Sequence, residues 1–461
     1  MTLTLVIIVI ATAVVFDFTN GFHDSANAMA TSVATGAFKP KVAVLVAAVL
    51  NLAGASMATA VAKTISSGIV NDHLVTPQVV FAGLIGAILW NLITWLVGLP
   101  SSSSHAMFGG LIGAVLFSAG MAGVYPSVIL SKVLLPALLA PVVAGIASAV
   151  ATKTAYRVTD HTAQHASKTF RMGQRISASM VALAHGTSDG QKTMGLITLV
   201  LVAAGYQESG SSPLPWVILL AGVAMGLGTY SGGWRIMRTM GKGLFEVEAP
   251  QGFASETAAT AAILASSHLG FALSTTHVCS GAIMGAGVGR GVHVNWKIAG
   301  RMLAAWLLTL PAAAIVGALA AAVTTRGLWG FFLMLGLLIV ASAAIWRISQ
   351  HHKVDHNNVN DSSEVTVLPG KSVRGTDGAI RIVTLPDPMA GASLDNVTPI
   401  TSAPSMAGAS SGVASAPAIP SQSLPIAAEI KSGIRPAVIT VAVPPPPRRR
   451  RRTRGPRAAR P

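Results

Sequence analysis

The chain has 461 residues, 52% of them hydrophobic and only 10% charged, with a formal net charge of +16. Soluble domains carry nearer a quarter charged residues, so this composition excludes an ordinary soluble globular protein and points to an all-α polytopic membrane protein. The single cysteine, Cys279, excludes an internal disulfide.

Eleven apolar elements follow one another, at 3–36, 41–62, 79–97, 101–123, 127–150, 176–203, 216–234, 254–271, 274–289, 299–323 and 328–347, which predicts about 10–12 membrane elements. Lengths near twenty residues suit helices that cross a hydrocarbon core of about 30 Å. No basic residue precedes Lys39, so the first element reads as a retained helix rather than a signal peptide. This element and 176–203 are interrupted by polar residues flanked by glycine, "NGFHDSANAM" at 20–29 and "HGTSDGQKTM" at 185–194. Glycines there predict broken helices whose free carbonyls could face an ion.

The elements group into a first membrane repeat (1–150), a basic cytoplasmic linker (151–175), a second repeat (176–323), an additional helix (324–348) and a tail (349–461). The tail holds 14 Lys/Arg against 7 Asp/Glu, is rich in Ser, Pro, Ala and Gly, and ends in "PPPPRRRRRTRGPRAARP". That composition predicts disorder, with the arginines touching anionic lipid headgroups rather than nucleic acid. Loops on one side of the spans carry 13 Lys/Arg and those on the other side 2. The positive-inside rule then predicts a cytoplasmic tail and an N-terminus outside the cell.

Two motifs recur. "GFHDSANAM" (21–29) aligns with "GTSDGQKTM" (186–194) at an offset of 165, placing Asp24 on Asp189. "SSSHAMFGGLIGA" (102–114) aligns with "STTHVCSGAIMGA" (274–286) at an offset of 172, placing Ser102 on Ser274 and His105 on His277. Five elements per repeat make the second half inverted relative to the first, the mark of secondary transporters.

Asp24 and Asp189 would meet at similar depth, where a charge is costly and two acids repel, so a cation or a proton is expected between them. Asn27 stands beside the first acid and Lys192 occupies its repeat position. Lys192 could neutralise an acid or attract an anion. His23 and His185 flank the acids and could relay protons. The runs "GLPSSSSHA" (98–106) and "FALSTTHV" (271–278) each lead into a glycine-rich helix. Hydroxyls and free N–H groups at a helix start favour an anion, and two such starts could converge on one tetrahedral oxyanion. Ser102, Ser103, Ser104, Ser274, Thr275 and Thr276 are the candidates, while His105 and His277 look structural. Glu256 and Asp17 read as helix caps or site residues alike. Glycines at 281, 285 and 289, and at 109 and 113, predict close helix packing.

These residues resemble the inorganic phosphate transporter (PiT) family. "GFHDSANA" and "GTSDGQKT" match its duplicated Gly-x-Asn-Asp signature, "SSSSH" and "LSTTH" its paired hairpins, over residues 15–345. The "GFHD" and "QKTMG" forms are similar to the bacterial low-affinity branch. The resemblance implies proton-coupled import of inorganic phosphate, often as a neutral metal–phosphate, with phosphate between the hairpins and cations beside Asp24, Asn27 and Asp189. Other members use sodium, and some relatives carry sulfate. No cofactor is implied beyond H+ or Na+ and a divalent metal travelling with phosphate. A homo-oligomer is compatible with the sequence. Ser188 stands where the family often has Asn, and Ala272-Leu273 where it often has Pro.

Two other functional classes fit the sequence less well. A membrane hydrolase would use Ser104 and His105, yet adjacent helical side chains do not face each other. An ion channel suits two buried acids less well than an occluded site. No Gly-x4-Gly-Lys-Ser/Thr pattern occurs, so ATP drive is not indicated. An enzyme is not expected.

Overall fold

In lipid a backbone must satisfy its own polar groups, and long apolar runs do so as helices. The computed structural model describes residues 3–159, 163–361, 372–374 and 380–382. The chain divides into 1–385 and 386–461, and every described residue belongs to the first unit. The first half contributes α1 (Leu3–Ala34), α2 (Pro40–Ala55), α3 (Ala60–Ser67), α4 (Pro77–Leu96), α5 (Ser103–Ala119), α6 (Pro126–Ile129) and α7 (Leu135–Thr159). The second contributes α8 (Ala163–Ala203), α9 (Pro215–Ser231), α10 (Trp234–Arg238), α11 (Ala249–His268), α12 (Thr275–Arg290), α13 (Trp296–Thr324) and α14 (Leu328–Ser349). Proline opens α2, α4, α6 and α9, where its fixed φ suits a first turn and no N–H is missed. The described strands, Ser372–Arg374 and Ile380–Ile382, pair antiparallel with Ser372 opposite Ile382.

Among the described residues, six helices are long and apolar enough to cross a membrane, or eight if each of two bent pairs is one span. The eleven expected elements all appear as helices, but α8 and α11 carry polar residues that lower their apolarity, and α12, at 16 residues, is short for a span. The basic linker at 151–175 is mostly helix, shared between the end of α7 and the start of α8.

The breaks lie elsewhere than the glycines suggested. α1 and α8 run unbroken through Gly21 and Gly186. A side chain on Gly21 would strike the Met225 and Thr229 backbone of α9, and one on Gly186 the Asn51 backbone of α2. These glycines therefore serve close approach of neighbouring helices and not unwinding. The chain bends instead between α2 and α3, by 69°, and between α9 and α10, by 59°, the second element of each half.

The duplication reaches down to single hydrogen bonds. Two residues past its end, α4 is closed by Gly98 (φ 69°) and α11 by Gly270 (φ 68°), 172 residues on. The next residue in each donates back five positions, Leu99 N–H to Thr94 O (2.9 Å) and Phe271 N–H to Ser266 O (3.0 Å). This is the left-handed helix stop that glycine favours. Each chain then turns into α5 or α12 through an N-cap serine. Ser102 accepts from His105 N–H and Ser274 from His277 N–H. On α12, the Gly281, Gly285 and Gly289 stripe packs on the backbone of α7.

Two apolar clusters form the core. One ends on α1 at Phe16 and resumes on α8 at Met194; the other begins on α1 at Ala26 and ends on α8 at Ala184. Between them lies a polar band, residues 17–25 of α1 and 185–193 of α8.

Residues 350–361, inside the span expected to be disordered, pack against the helices. Arg235 on α10 donates to Leu96 O (2.9 Å), Ser349 O (2.9 Å) and His352 O (2.6 Å), Arg238 to Asn358 O (2.6 Å), and Val359 is buried. Backbone acceptors thus hold this strap on two arginines. Apart from the two strands, the remaining tail, with its arginine cluster, lies outside the described residues.

Candidate functional site

The polar band places every candidate residue in one buried region. Asp24, Asp189, His23, Lys192, Asn27 and all six hairpin residues are at most 5% exposed. Burial of this many polar groups in an apolar surround is costly unless they answer one another. They largely do.

Asp24, on α1, lies 2.9 Å from Nδ1 of His23 through Oδ1. The other nitrogen of His23 meets Thr94 at 3.3 Å, and Thr94 in turn meets Ser101 at 2.7 Å. Ser103 stands 3.5 Å from His23 Nδ1. Across the molecule, the Thr276 hydroxyl donates to Asp24 Oδ1 (3.1 Å) and accepts from Asn27 Nδ2 (3.0 Å). The first acid is therefore held by the second hairpin.

Asp189, on α8, is tied by Lys192 Nζ to its Oδ1 at 2.6 Å and by the Thr275 hydroxyl to its Oδ2 at 3.3 Å. Lys192 also donates to the Ser104 hydroxyl and, at 3.1 Å, to Leu273 O. One ammonium thus links the second acid to both hairpins. His185 lies between the acids, its Nε2 3.9 Å from Asp24 Oδ2 and 3.5 Å from Asp189 Oδ2. Its Nδ1 meets Asn51 Oδ1 at 3.2 Å.

Asp24, His185 and Asp189 each offer one ligand atom, all within 4.8 Å of one another and all buried. Asp24 Oδ2, Asn27 Oδ1, His185 Nε2 and Ser188 Oγ lack hydrogen-bond partners. Unanswered acceptors around two carboxylates describe a place for a positive charge. On the other side, α5 and α12 begin at the hairpins, and their first N–H groups and hydroxyls favour negative charge.

Not every candidate has the expected part. Ser102 and Ser274 accept a first-turn N–H as helix caps and keep their O–H protons to donate, while Ser103, Ser104, Thr275 and Thr276 are the hydroxyls that face the acids or their partners. Glu256 is no cap, since Glu248 caps α11; its carboxylate sits mid-helix and accepts from Thr31 (2.6 Å), Gln174 (3.1 Å) and Ser177 (2.5 Å). His105 and His277 meet ring to ring, centroids 4.8 Å apart, where the two hairpins touch. Thr94 and Asn51 lie outside every motif, and Ser101 is the one serine of the 98–106 run not among the candidates. Only isolation as polar residues in apolar helices could have marked Thr94 and Asn51.

The description "Phosphate transporter family" belongs to the family model that matches residues 20–317. The chain belongs to this family. It is 49% identical over 373 residues to a probable low-affinity inorganic phosphate transporter of Mycobacterium bovis, covering 80% of this chain and 89% of that one. To the protein of the same description from Mycobacterium leprae it is 50% identical over 382 residues (82% and 91% covered), and to that of Bacillus subtilis 40% over 325 (69% and 96%). A solved structure described as the sodium-dependent phosphate transporter superposes with a TM-score of 0.64 at 24% identity, over 71% of this chain and all of that one. That likeness supports the fold. The family member described here is a multi-pass membrane protein that transports phosphate, and not an enzyme, which removes the hydrolase reading.

Proposed function

We propose that the chain imports inorganic phosphate by symport with protons across the cell membrane, N-terminus outside and tail in the cytoplasm. The observation that carries this reading is the meeting of Asp24, His185 and Asp189 beside the second hairpin, whose Thr275 and Thr276 hydroxyls bond the same carboxylates, while Ser103 and Ser104 of the first hairpin meet the partners of those acids, His23 and Lys192. In this reading the acids and His185 take the driving cation, with Asn27 and His23 beside them. Ser103, Ser104, Thr275 and Thr276 and the starts of α5 and α12 take the phosphate.

The electrostatics give a reason for coupling. Two carboxylates and one ammonium leave the empty site net negative when both histidines are neutral, so phosphate is repelled. A bound cation removes that repulsion. It also releases donors, because a threonine hydroxyl has one proton and can give it to a carboxylate or to phosphate, not to both. When a cation takes Asp24 and Asp189, Thr276 and Thr275 are free to turn towards the anion. Cation and phosphate then strengthen each other's binding, reciprocally.

A second reading, sodium as the driver, is favoured by the oxygen-rich surroundings of Asp24. A divalent metal travelling with phosphate would find an imidazole and two carboxylates, a fitting donor set. The deciding experiment is uptake of labelled phosphate into proteoliposomes under an imposed proton gradient, then a sodium gradient, with sulfate and arsenate as competitors. Uptake driven by sodium alone would overturn proton coupling. Sulfate competing as well as arsenate would overturn phosphate selectivity.

A further inference from the structure

Asp17 lies outside the cluster just described, yet it is fully buried and, among the described residues, neither carboxylate oxygen has a partner at hydrogen-bond distance. It stands seven residues before Asp24 on α1, two helical turns and about 10 Å away on the same face. Its polar neighbours are Thr193 on α8 and Asn20 on its own helix. The Thr193 hydroxyl and Asn20 Oδ1 are likewise buried and unpartnered.

A structural carboxylate in this protein looks different. Glu256 is answered by three side-chain donors. Among the described residues, Asp17 has no donor at hydrogen-bond distance and no ion pair with a cation. Lys192 has three N–H bonds and uses them on Asp189, Ser104 and Leu273 O. His23 is engaged by Asp24 and Thr94. Asp189 and Lys192 are the charges of α8 that act on Asp17. α4 contains no acid, base or histidine, α5 only His105, which faces His277, and α9 only Tyr230, which is exposed. An isolated carboxylate in such a place takes a proton rather than remain charged. The resulting O–H has an acceptor in Asn20 Oδ1 or Thr193 Oγ1.

We propose that Asp17 carries a transported proton of its own, a second coupling site two turns from Asp24 on the side of the polar band nearer the N-terminus. The proton adds to a carboxylate oxygen from water on one side of the membrane and leaves to water on the other; no other bond changes. The proposal rests on the proton-coupled reading above.

The test counts protons per phosphate. Proteoliposomes with an internal pH dye, membrane potential clamped, receive labelled phosphate, and both uptakes are followed for the natural chain, Asp17→Asn and Asp17→Glu. Asn mimics the permanently protonated acid. It is expected to move one proton fewer per phosphate, with a flatter dependence on external pH, while phosphate exchange without net flux stays within twofold. Asp17→Glu is expected to keep the natural ratio. An unchanged ratio in Asp17→Asn overturns the inference and leaves proton coupling standing. No proton movement in the natural chain overturns both. If Asp17→Asn fails to reach the membrane, Thr193→Val serves: it removes the neighbouring hydroxyl and is expected to shift the pH midpoint of uptake, and an unshifted midpoint overturns the inference.

Discussion

The two halves present the same acid on the same kind of helix and answer it differently. In the first, Asp24 meets His23, a group that can gain or lose a proton, and keeps Oδ2 without a hydrogen bond. In the second, Asp189 meets Lys192, a fixed charge that stands where the first half has Asn27. The repeat brings two acids to one histidine, His185, and a single divergent position ties one of them to an ammonium and leaves the other without one. The difference teaches that the halves share a frame and not a task. In the proposed reading Asp24 is the acid with an oxygen open to the cation the two acids share, while Asp189 is also tied to both hairpins through Lys192.

The sharpest way to break that division is to neutralise each acid. Asp24→Asn is expected to abolish uptake, a fall of about 100-fold or more, corresponding to roughly 3 kcal/mol or more of lost charge interaction. The protein should still reach the membrane, because Asn keeps the shape. Labelled-phosphate uptake set against the amount of membrane-inserted protein checks this, and normal transport would sink the cation site. Asp189→Asn is expected to do something different, leaving Lys192 as an unpaired buried charge and lowering stability as well as uptake.

Lys192 tests the anchor. Lys192→Asn makes the second half resemble the first and strands Asp189 without its cation. Breaking a buried pair from one side costs about 3–5 kcal/mol. The thermal midpoint of the detergent-solubilised protein is expected to fall. Adding Asp189→Asn should recover a large part of that loss, since no buried charge then lacks a partner. A double mutant no more stable than Lys192→Asn alone would show that the pair is not the anchor.

The hairpin hydroxyls come next. In the proposed reading Thr275→Ala and Ser103→Ala each remove one donor to the phosphate, and a hydrogen bond to a charged group is worth about 1.5–3 kcal/mol. The concentration of phosphate at half-maximal uptake is expected to rise about tenfold or more for each. Unchanged half-saturation in both would place the phosphate elsewhere.

Much of this was legible in the chain. The two recurring motifs located both hairpins and both acids, because the chemistry of a duplicated site is written in residue types at fixed offsets. Three things were not. The glycines at 21 and 186 looked like hinges, and only a neighbour's backbone reveals that they are contact points. Glu256 looked like a helix start, because an apolar run after an acid does not say where the helix begins. The strap at 350–361 read as the first residues of a polar tail, since what orders it is a set of backbone carbonyls meeting Arg235 and Arg238, and carbonyls leave no mark in a sequence.

The smallest expected effect falls where the halves are most alike. Ser102 and Ser274 cap α5 and α12 with the same bond, at 3.1 and 3.2 Å. Alanine at either position leaves one first-turn N–H without its acceptor and costs about 1 kcal/mol. If the caps only shape the hairpins, the two variants lower the thermal midpoint equally and leave phosphate half-saturation within about twofold of the natural value. If Ser274→Ala instead weakens phosphate binding as much as Thr275→Ala while Ser102→Ala does not, a cap hydroxyl belongs to the binding surface in one half alone. The asymmetry between the acids would then extend to the hairpins, and the anchoring half would also be the half that grips the anion.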